Sequence, residues 1–245
     1  MQQIGACDDE VKCGAVMERE KRLQGIVFLG GRFDYTPADL AMLNVPFVCC
    51  SYSNRYGTLI EGEYSSVSIA DGDTAQQAVE ELYRHGHRRI AALISRPDDQ
   101  SISQLRYEGY IQALESHGIP VDPELVISTG GFGAKDAYRA VQEKMAENVD
   151  FTALFAIADS MAIGAMRALM DAGRRIPEDC SVIAIDGLEL SAYIEPPLTT
   201  LCQPMEEMGR RSAEILLDMV RHKGSHACEL LPTTLRQGRS VAAPG

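Results

Sequence analysis

The run Ala153 to Ala158 is apolar without a break, and Asp159-Ser160 follows it directly. Met161 to Met170 then continues at helical spacing and closes at Gly173. An uninterrupted apolar run is what a strand covered on both faces carries, and the polar pair after it opens a helix. Asp159 is thereby delivered to the C-terminal edge of a sheet, where open α/β sheets bind ligands. Capping of the helix explains the same residue. Cys180 to Asp186 repeats the pattern, a buried strand ending in a carboxylate.

Nothing near these carboxylates makes a catalytic set. Asp159-Ser160 has no motif-placed base, there is no GxSxG elbow, and the five His fall at helix ends or in tails. His85 and His87 straddle Gly86 at a helix end, where a cation complements the helix dipole. Gly30-Gly31 is no dinucleotide fingerprint, and Gly130-Gly131-Phe132-Gly133 lacks the Lys and Ser/Thr of a phosphate loop. The seven cysteines are scattered and form no CxxC pair, so buried thiols in a reducing cytoplasm are expected, with no metal site and no cofactor. These residues point to binding, not catalysis.

Those side chains need a frame, and the chain is long enough to supply one. At 245 residues it can bury a core in one large domain or two lobes. Its 23 basic and 35 acidic residues give a net charge of −12, which argues against these residues gripping nucleic acid or an anionic membrane. No apolar run is long enough to span a bilayer, and Met1-Gln-Gln-Ile lacks a signal-peptide pattern. A cytoplasmic location is expected.

Strand patterns fall at 3–7, 25–30, 45–50, 65–69, 90–94, 125–128, 153–158, 180–186 and 198–202, with terminal strand segments in 228–241. Helical patterns fall at 11–23, 37–43, 73–85, 104–116, 134–145, 161–170 and 205–221. Such alternation implies an α/β protein with parallel sheets. The polar passages Arg96 to Ser101 and Asp186 to Pro197 suggest two α/β lobes, with a cleft lined by loops after strands.

At this point the motifs resemble a known family. Gly25-Ile-Val-Phe-Leu-Gly-Gly31, Leu82-Tyr-Arg-His-Gly-His-Arg-Arg-Ile90 and Arg106-Tyr-Glu-Gly-Tyr-Ile-Gln-Ala-Leu114 with Gly118-Ile119 come in order. Ala158-Asp-Ser-Met-Ala-Ile-Gly164, Gly173 to Ile183, Pro196-Pro-Leu-Thr-Thr200, Gln203-Pro204 and Met208-Gly209 follow. The ordered set, covering nearly the whole chain, resembles the effector-binding domain of the lactose-repressor family of bacterial transcription regulators. The resemblance implies a two-lobed periplasmic-binding-protein type I fold, each lobe a parallel sheet flanked by helices. It places 1–96 plus 204–227 in the N-terminal lobe and 97–203 plus 228–245 in the C-terminal lobe.

The family begins with a helix-turn-helix of some sixty residues, a DNA-binding module of the kind described for such regulators. The motif set contains none, nor the strand and helix that open the family's effector domain, so a cut or incomplete chain is expected, with DNA reached only through the absent headpiece. The resemblance further implies a homodimer, with the helices over 11–23 and 73–85 as candidates for its face. The effector it implies is a small molecule, a sugar or sugar derivative, that shifts an equilibrium between arrangements of the lobes. A periplasmic sugar-binding protein of the same fold is the alternative.

Site residues also follow from the resemblance. Arg106 falls at the family's pocket arginine, whose planar fork can hold two hydroxyls or a carboxylate. Asp186 falls at its strand-end aspartate, an acceptor for sugar hydroxyls. Asp159 matches an aspartate whose preceding Asn is here Ala158, which favours Asp159 as a helix cap. Asp71 and Asp73 both lie where the family places a pocket acid or amide, and capping alone explains Asp73. Phe132 falls near an aromatic that stacks on a sugar face. Tyr52, Ser53, Ser101 and Ser103 are weaker pocket-loop candidates. Ala184 and Gly187 depart from the family's pattern around Asp186.

Overall fold

The computed structural model describes residues 9–31, 33–60 and 62–245, and the strand expected over 3–7 lies outside them. The strands are β1 (Ile26–Leu29), β2 (Phe47–Cys50), β3 (Ser66–Ser68), β4 (Ile90–Ile94), β5 (Val126–Ser128), β6 (Ala153–Ala156), β7 (Ser181–Asp186), β8 (Thr199–Cys202), β9 (Cys228–Leu230) and β10 (Thr234–Arg236). The helices are α1 (Glu10–Lys21), α2 (Pro37–Leu40), α3 (Asp71–Arg84), α4 (Ile102–Ser116), α5 (Ala134–Ala146), α6 (Asp159–Asp171) and α7 (Met205–His222). The alternation read from the sequence is the observed order.

The chain forms two compact units, one running up to Ile69 and including Pro204–Pro232, the other Ala70–Gln203 with Thr233–Gly245. The first unit holds a parallel sheet in the order β1-β2-β3-β9. α1 is capped by the Asp9 side chain, which accepts from the Lys12 amide, and α2 opens with a capping box of Thr36 and Asp39. α7 buries Met208, Ser212, Ile215 and Met219, one every three or four residues, and packs that stripe on β1, β2 and β3.

The second unit holds six strands in the order β10-β8-β7-β6-β4-β5. All are parallel except β10, which runs antiparallel to β8 at the edge. β4 and β6 are buried throughout and β7 over all but its last residue, which is why their sequences read as unbroken apolar runs. α3 and α4 lie against each other, as do α5 and α6. Gly109 permits the first contact: a Cβ there would stand 2.1 Å from the Gly72 carbonyl oxygen.

The division between units differs from the expected one. α3 and β4 were expected with the first lobe, yet α3 packs on α4 and touches β6, β7 and β8, while β4 lies between β6 and β5. The chain therefore changes unit after Ile69, not near residue 96. At the other end β9 pairs with β3, so the last change comes after Pro232, not after residue 227. Among the described residues no helix is long and apolar enough to cross a membrane.

Candidate functional site

The C-terminal edge of the second unit's sheet carries a buried ionic cluster. Asp71 opens α3, Arg106 lies in the first half of α4, and Asp186 ends β7. The α3–α4 contact at Gly109 brings the first two together. Arg106 Nε donates to Asp71 Oδ1 at 2.9 Å, Nη1 to Asp186 Oδ1 at 3.2 Å, and Nη1 also to the Ile157 carbonyl at the end of β6. Nη2 is buried and has no partner among the described residues. A buried guanidinium N–H left unpaired carries a real energetic cost.

The charges fit this geometry. Arg106 is 2% exposed. Burial alone would lower its pKa, but the Asp71 and Asp186 carboxylates outweigh it and hold the group above its ordinary value. Burial raises the Asp71 pKa, against the opposing pull of Arg106. The Asp186 side chain is 20% exposed and is the more accessible of the two carboxylates. Gln203, which follows β8, donates from Nε2 to the same Asp186 Oδ1 at 2.7 Å.

A second buried network fixes the turn that follows Asp186. Asp159 is fully buried, and its Oδ2 accepts from the Leu188 amide at 2.8 Å and the Ser191 hydroxyl at 2.6 Å. Its Oδ1 accepts from Thr200 at 2.6 Å. Burial raises its pKa, and the two hydroxyls oppose the shift. Arg236 on β10 donates to the carbonyls of Gly187 and Leu188 and to Ser191 Oγ, and lies 3.9 Å from Asp159. These bonds hold Asp186 at φ 133° and Gly187 at φ 78°. A Cβ on Gly187 would stand 2.5 Å from Cys202 Sγ, so this departure from the family's pattern matches the local packing.

Several expected roles change in this light. The N-cap of α6 is Ala158, without a side-chain cap, so Asp159 is not the cap; its carboxylate braces the β7 turn and β8 instead. Between the two acids left open, Asp71 is buried on Arg106 while Asp73 is exposed and is not the helix cap, that position being Ala70. The Phe132 ring is 39% exposed on the loop before α5, where its carbonyl accepts from Ser160 Oγ at 2.8 Å. Ser101 caps α4, and Ser103 is buried with its hydroxyl bonded to the backbone of Ser95 and Arg96. Tyr52 is buried in the first unit, with its hydroxyl on Asn54. His87 is no dipole partner: it is buried between the Thr152 hydroxyl and the Ala242 carbonyl.

Gln203 and Arg236 were not expected as site residues, although Gln203-Pro204 is among the motifs. Gln203 follows a strand at the sheet's C-terminal edge, so the rule that selects Asp186 would have selected it too. Arg236 carries no such signal, because its partners lie more than forty residues away. No group of His, Cys, Asp and Glu suited to a metal ion occurs among the described residues.

Parallel α/β units with connections of this order have the architecture of the periplasmic-binding-protein type. Residues 79–241 match the model of the periplasmic binding protein-like domain. The chain is 35% identical to the HTH-type transcriptional regulator MalR of Clostridium butyricum, over 93% of this chain and 67% of that protein. It is 34% identical to the HTH-type transcriptional repressor CytR of Escherichia coli K12, over 86% of this chain and 62% of the repressor. Among solved structures, a complex of the transcriptional regulator CelR with cellobiose superposes with a TM-score of 0.83 at 31% identity, covering 95% of this chain and 70% of that one. The chain belongs to the periplasmic binding protein-like family, within the LacI-type transcriptional regulators. It spans between 62% and 67% of the length of these curated relatives.

Proposed function

We propose that this chain is the effector-binding part of a sugar-responsive bacterial transcription regulator. The effector, a sugar or sugar derivative, binds at the sheet edge that carries Arg106, Asp186 and Asp71, with Asp159 bracing that edge and Phe132 offering a ring face nearby in sequence to α5. The observation that carries this reading is Arg106: a buried guanidinium held by two carboxylates, with its Nη2 lacking an acceptor among the described residues. Sugar hydroxyls suit such a surround, since they both donate and accept. Support also comes from the relatives, which are transcription regulators, one of them solved with cellobiose.

In this reading the regulator works as a homodimer, meets DNA through a headpiece that these residues do not include, and acts in the cytoplasm without catalysis. Effector binding changes DNA affinity only by its differential affinity for the two arrangements of the protein. A thermal-shift screen of the purified chain against pentoses, hexoses, disaccharides and nucleosides tests the proposal. A ligand at about a hundred times its dissociation constant adds roughly 2.7 kcal/mol of stability. Stabilisation by a sugar that disappears in Arg106→Met and Asp186→Asn is the expected result. Folded protein that no sugar or nucleoside stabilises would refute the reading.

A further inference from the structure

We infer that residues 237–245 form a strap across the N-terminal edge of the second unit's sheet, locked by His87 while its ring is neutral and released when the ring takes up a proton. This edge is opposite to the proposed effector site, and the inference does not depend on that site.

The strap is fastened step by step along the edge. The Gly238 amide donates to Thr199 Oγ1 at 3.1 Å and the Arg239 amide to the Pro197 carbonyl at 2.8 Å. Ser240 is fully buried between β7 and β8. Its hydroxyl donates to the Val182 carbonyl at 2.6 Å and accepts from the Thr199 amide at 2.8 Å, and its carbonyl accepts from the Val182 amide at 2.7 Å. Ala242 comes last. Its amide donates to Ser181 Oγ at 3.0 Å, and its carbonyl accepts from Ser181 Oγ at 3.1 Å and from His87 Nε2 at 2.9 Å. Residues 243–245 beyond it are exposed. The strap begins one residue after Arg236, which holds the β7 turn, so its release frees the chain up to that brace.

His87 is 1% exposed beneath this last fastening. The Ala242 carbonyl only accepts, so Nε2 carries the proton and Nδ1 accepts from the Thr152 hydroxyl at 2.9 Å. A second proton would take Nδ1 and turn that hydroxyl away. The charges around the ring give the cation no partner. His85 and Arg88 stand on either side of it in the chain and oppose it. Glu81 on α3 is engaged by Arg84 and His85, and Asp150, before β6, lies by Arg89. Asp179, before β7, is held by Arg175, Glu195 by the strap's own Arg239, and Arg174 donates to the carbonyls of Phe151 and Asp179. Among the described residues no carboxylate pairs with His87. Water is what a charged His87 lacks, and opening a thinly held segment costs far less than opening β4 or β6. An exposed imidazole titrates near pH 6.5, and burial lowers that value in the closed strap. The open form therefore binds more protons, so closure is fully present above about pH 6.5 and weakens as pH falls below it.

The experiment is hydrogen–deuterium exchange of the whole chain at pH 7.5 and 5.5, corrected for the intrinsic exchange rate and read on peptides covering 237–245. Protection there is expected to fall by up to about tenfold, the most that one proton with a solution pKa near 6.5 allows over that interval, while β4 and β6 keep theirs. His87→Gln, checked for a cooperative melt, is expected to abolish the fall, and His85→Gln to keep it. Strap protection that is the same at both pH values overturns the inference. A fall shared equally by β4 and β6 also overturns it, because the unit then opens as a whole. So does a fall that persists in folded His87→Gln or disappears in His85→Gln, since another group then holds the lock.

Discussion

Arg106 is placed to serve stability and, in the proposed reading, recognition as well. It is large, charged and 2% exposed, a combination tolerated only because two carboxylates and a carbonyl surround it. Truncating it strands Asp71 and Asp186, so Arg106→Ala is expected to lower unfolding free energy by about 3–5 kcal/mol, read as a fall in the urea midpoint at unchanged slope. Asp186→Asn keeps the shape and sits at the partly exposed side, so its cost is about 1 kcal/mol while effector affinity is lost. His87 sets a pH dependence of its own. The Ala242 carbonyl can only accept, so Nε2 carries the proton and Nδ1 accepts from Thr152. Burial, opposed by the Ala242 carbonyl and assisted by the nearby His85 and Arg88 charges, lowers its pKa below 6.5. The unfolded chain therefore takes up a proton in a range where the folded chain does not. Stability present above about pH 6.5 is lost as pH falls below it. Urea melts of His87→Gln are expected to show a shallower loss between neutral and mildly acidic pH, and an unchanged slope would rule out this role for His87.

At the scale of elements, the cluster depends on how closely α3 and α4 approach. Gly109 sets that distance, and its Cβ would collide with the Gly72 carbonyl and stand 2.9 Å from Ala75 Cβ. Gly109→Ala is expected to cost about 1–3 kcal/mol by overpacking, and to weaken effector binding as well by separating Asp71 from Arg106. A loss of stability without any loss of affinity would show that the helix spacing does not govern the site. The β7 turn depends on a different brace. Asp159→Asn gives up one acceptor facing the Leu188 amide and the Ser191 hydroxyl, an expected loss of about 1–3 kcal/mol seen in thermal or urea melts. The elements themselves were legible in sequence, because β4, β6 and β7 are central parallel strands buried on both faces, so that apart from Ser181 and Asp186 at the ends of β7 their residues are apolar. Their allegiance was not. An apolar run such as Ile90 to Ile94 says that it is buried, not in which sheet, so the change of unit at Ile69 had to be seen in the pairing of β4 with β5 and β6. The cap assigned to Asp159 failed for a related reason, since nothing local announces that Ser191 and Thr200 return to it.

Over the whole molecule, the chain passes between its two units after Ile69, Gln203 and Pro232. Asp71 follows the first passage by two residues and Gln203 is the last residue before the second, so the proposed site draws on chain segments at the borders of the second unit. The family was legible from ordered motifs, yet those motifs mark positions, not bonds. Arg106 and Asp186 meet in one cluster, and nothing in the motifs reveals that Arg106 is already paired. The surplus of acidic over basic residues, 35 against 23, argues against these residues gripping nucleic acid. In the proposed reading Arg106 Nη2, buried and without an acceptor among the described residues, receives the effector. Nitrogen-15 NMR of the arginine guanidinium groups tests it most directly, with Arg106→Lys providing the assignment, in the presence of whichever sugar stabilises the chain. The account predicts that saturating sugar moves the Arg106 Nη2 resonance and slows its proton exchange, while Nε, bonded to Asp71, changes little. A stabilising sugar that leaves Nη2 where it was would contradict the account.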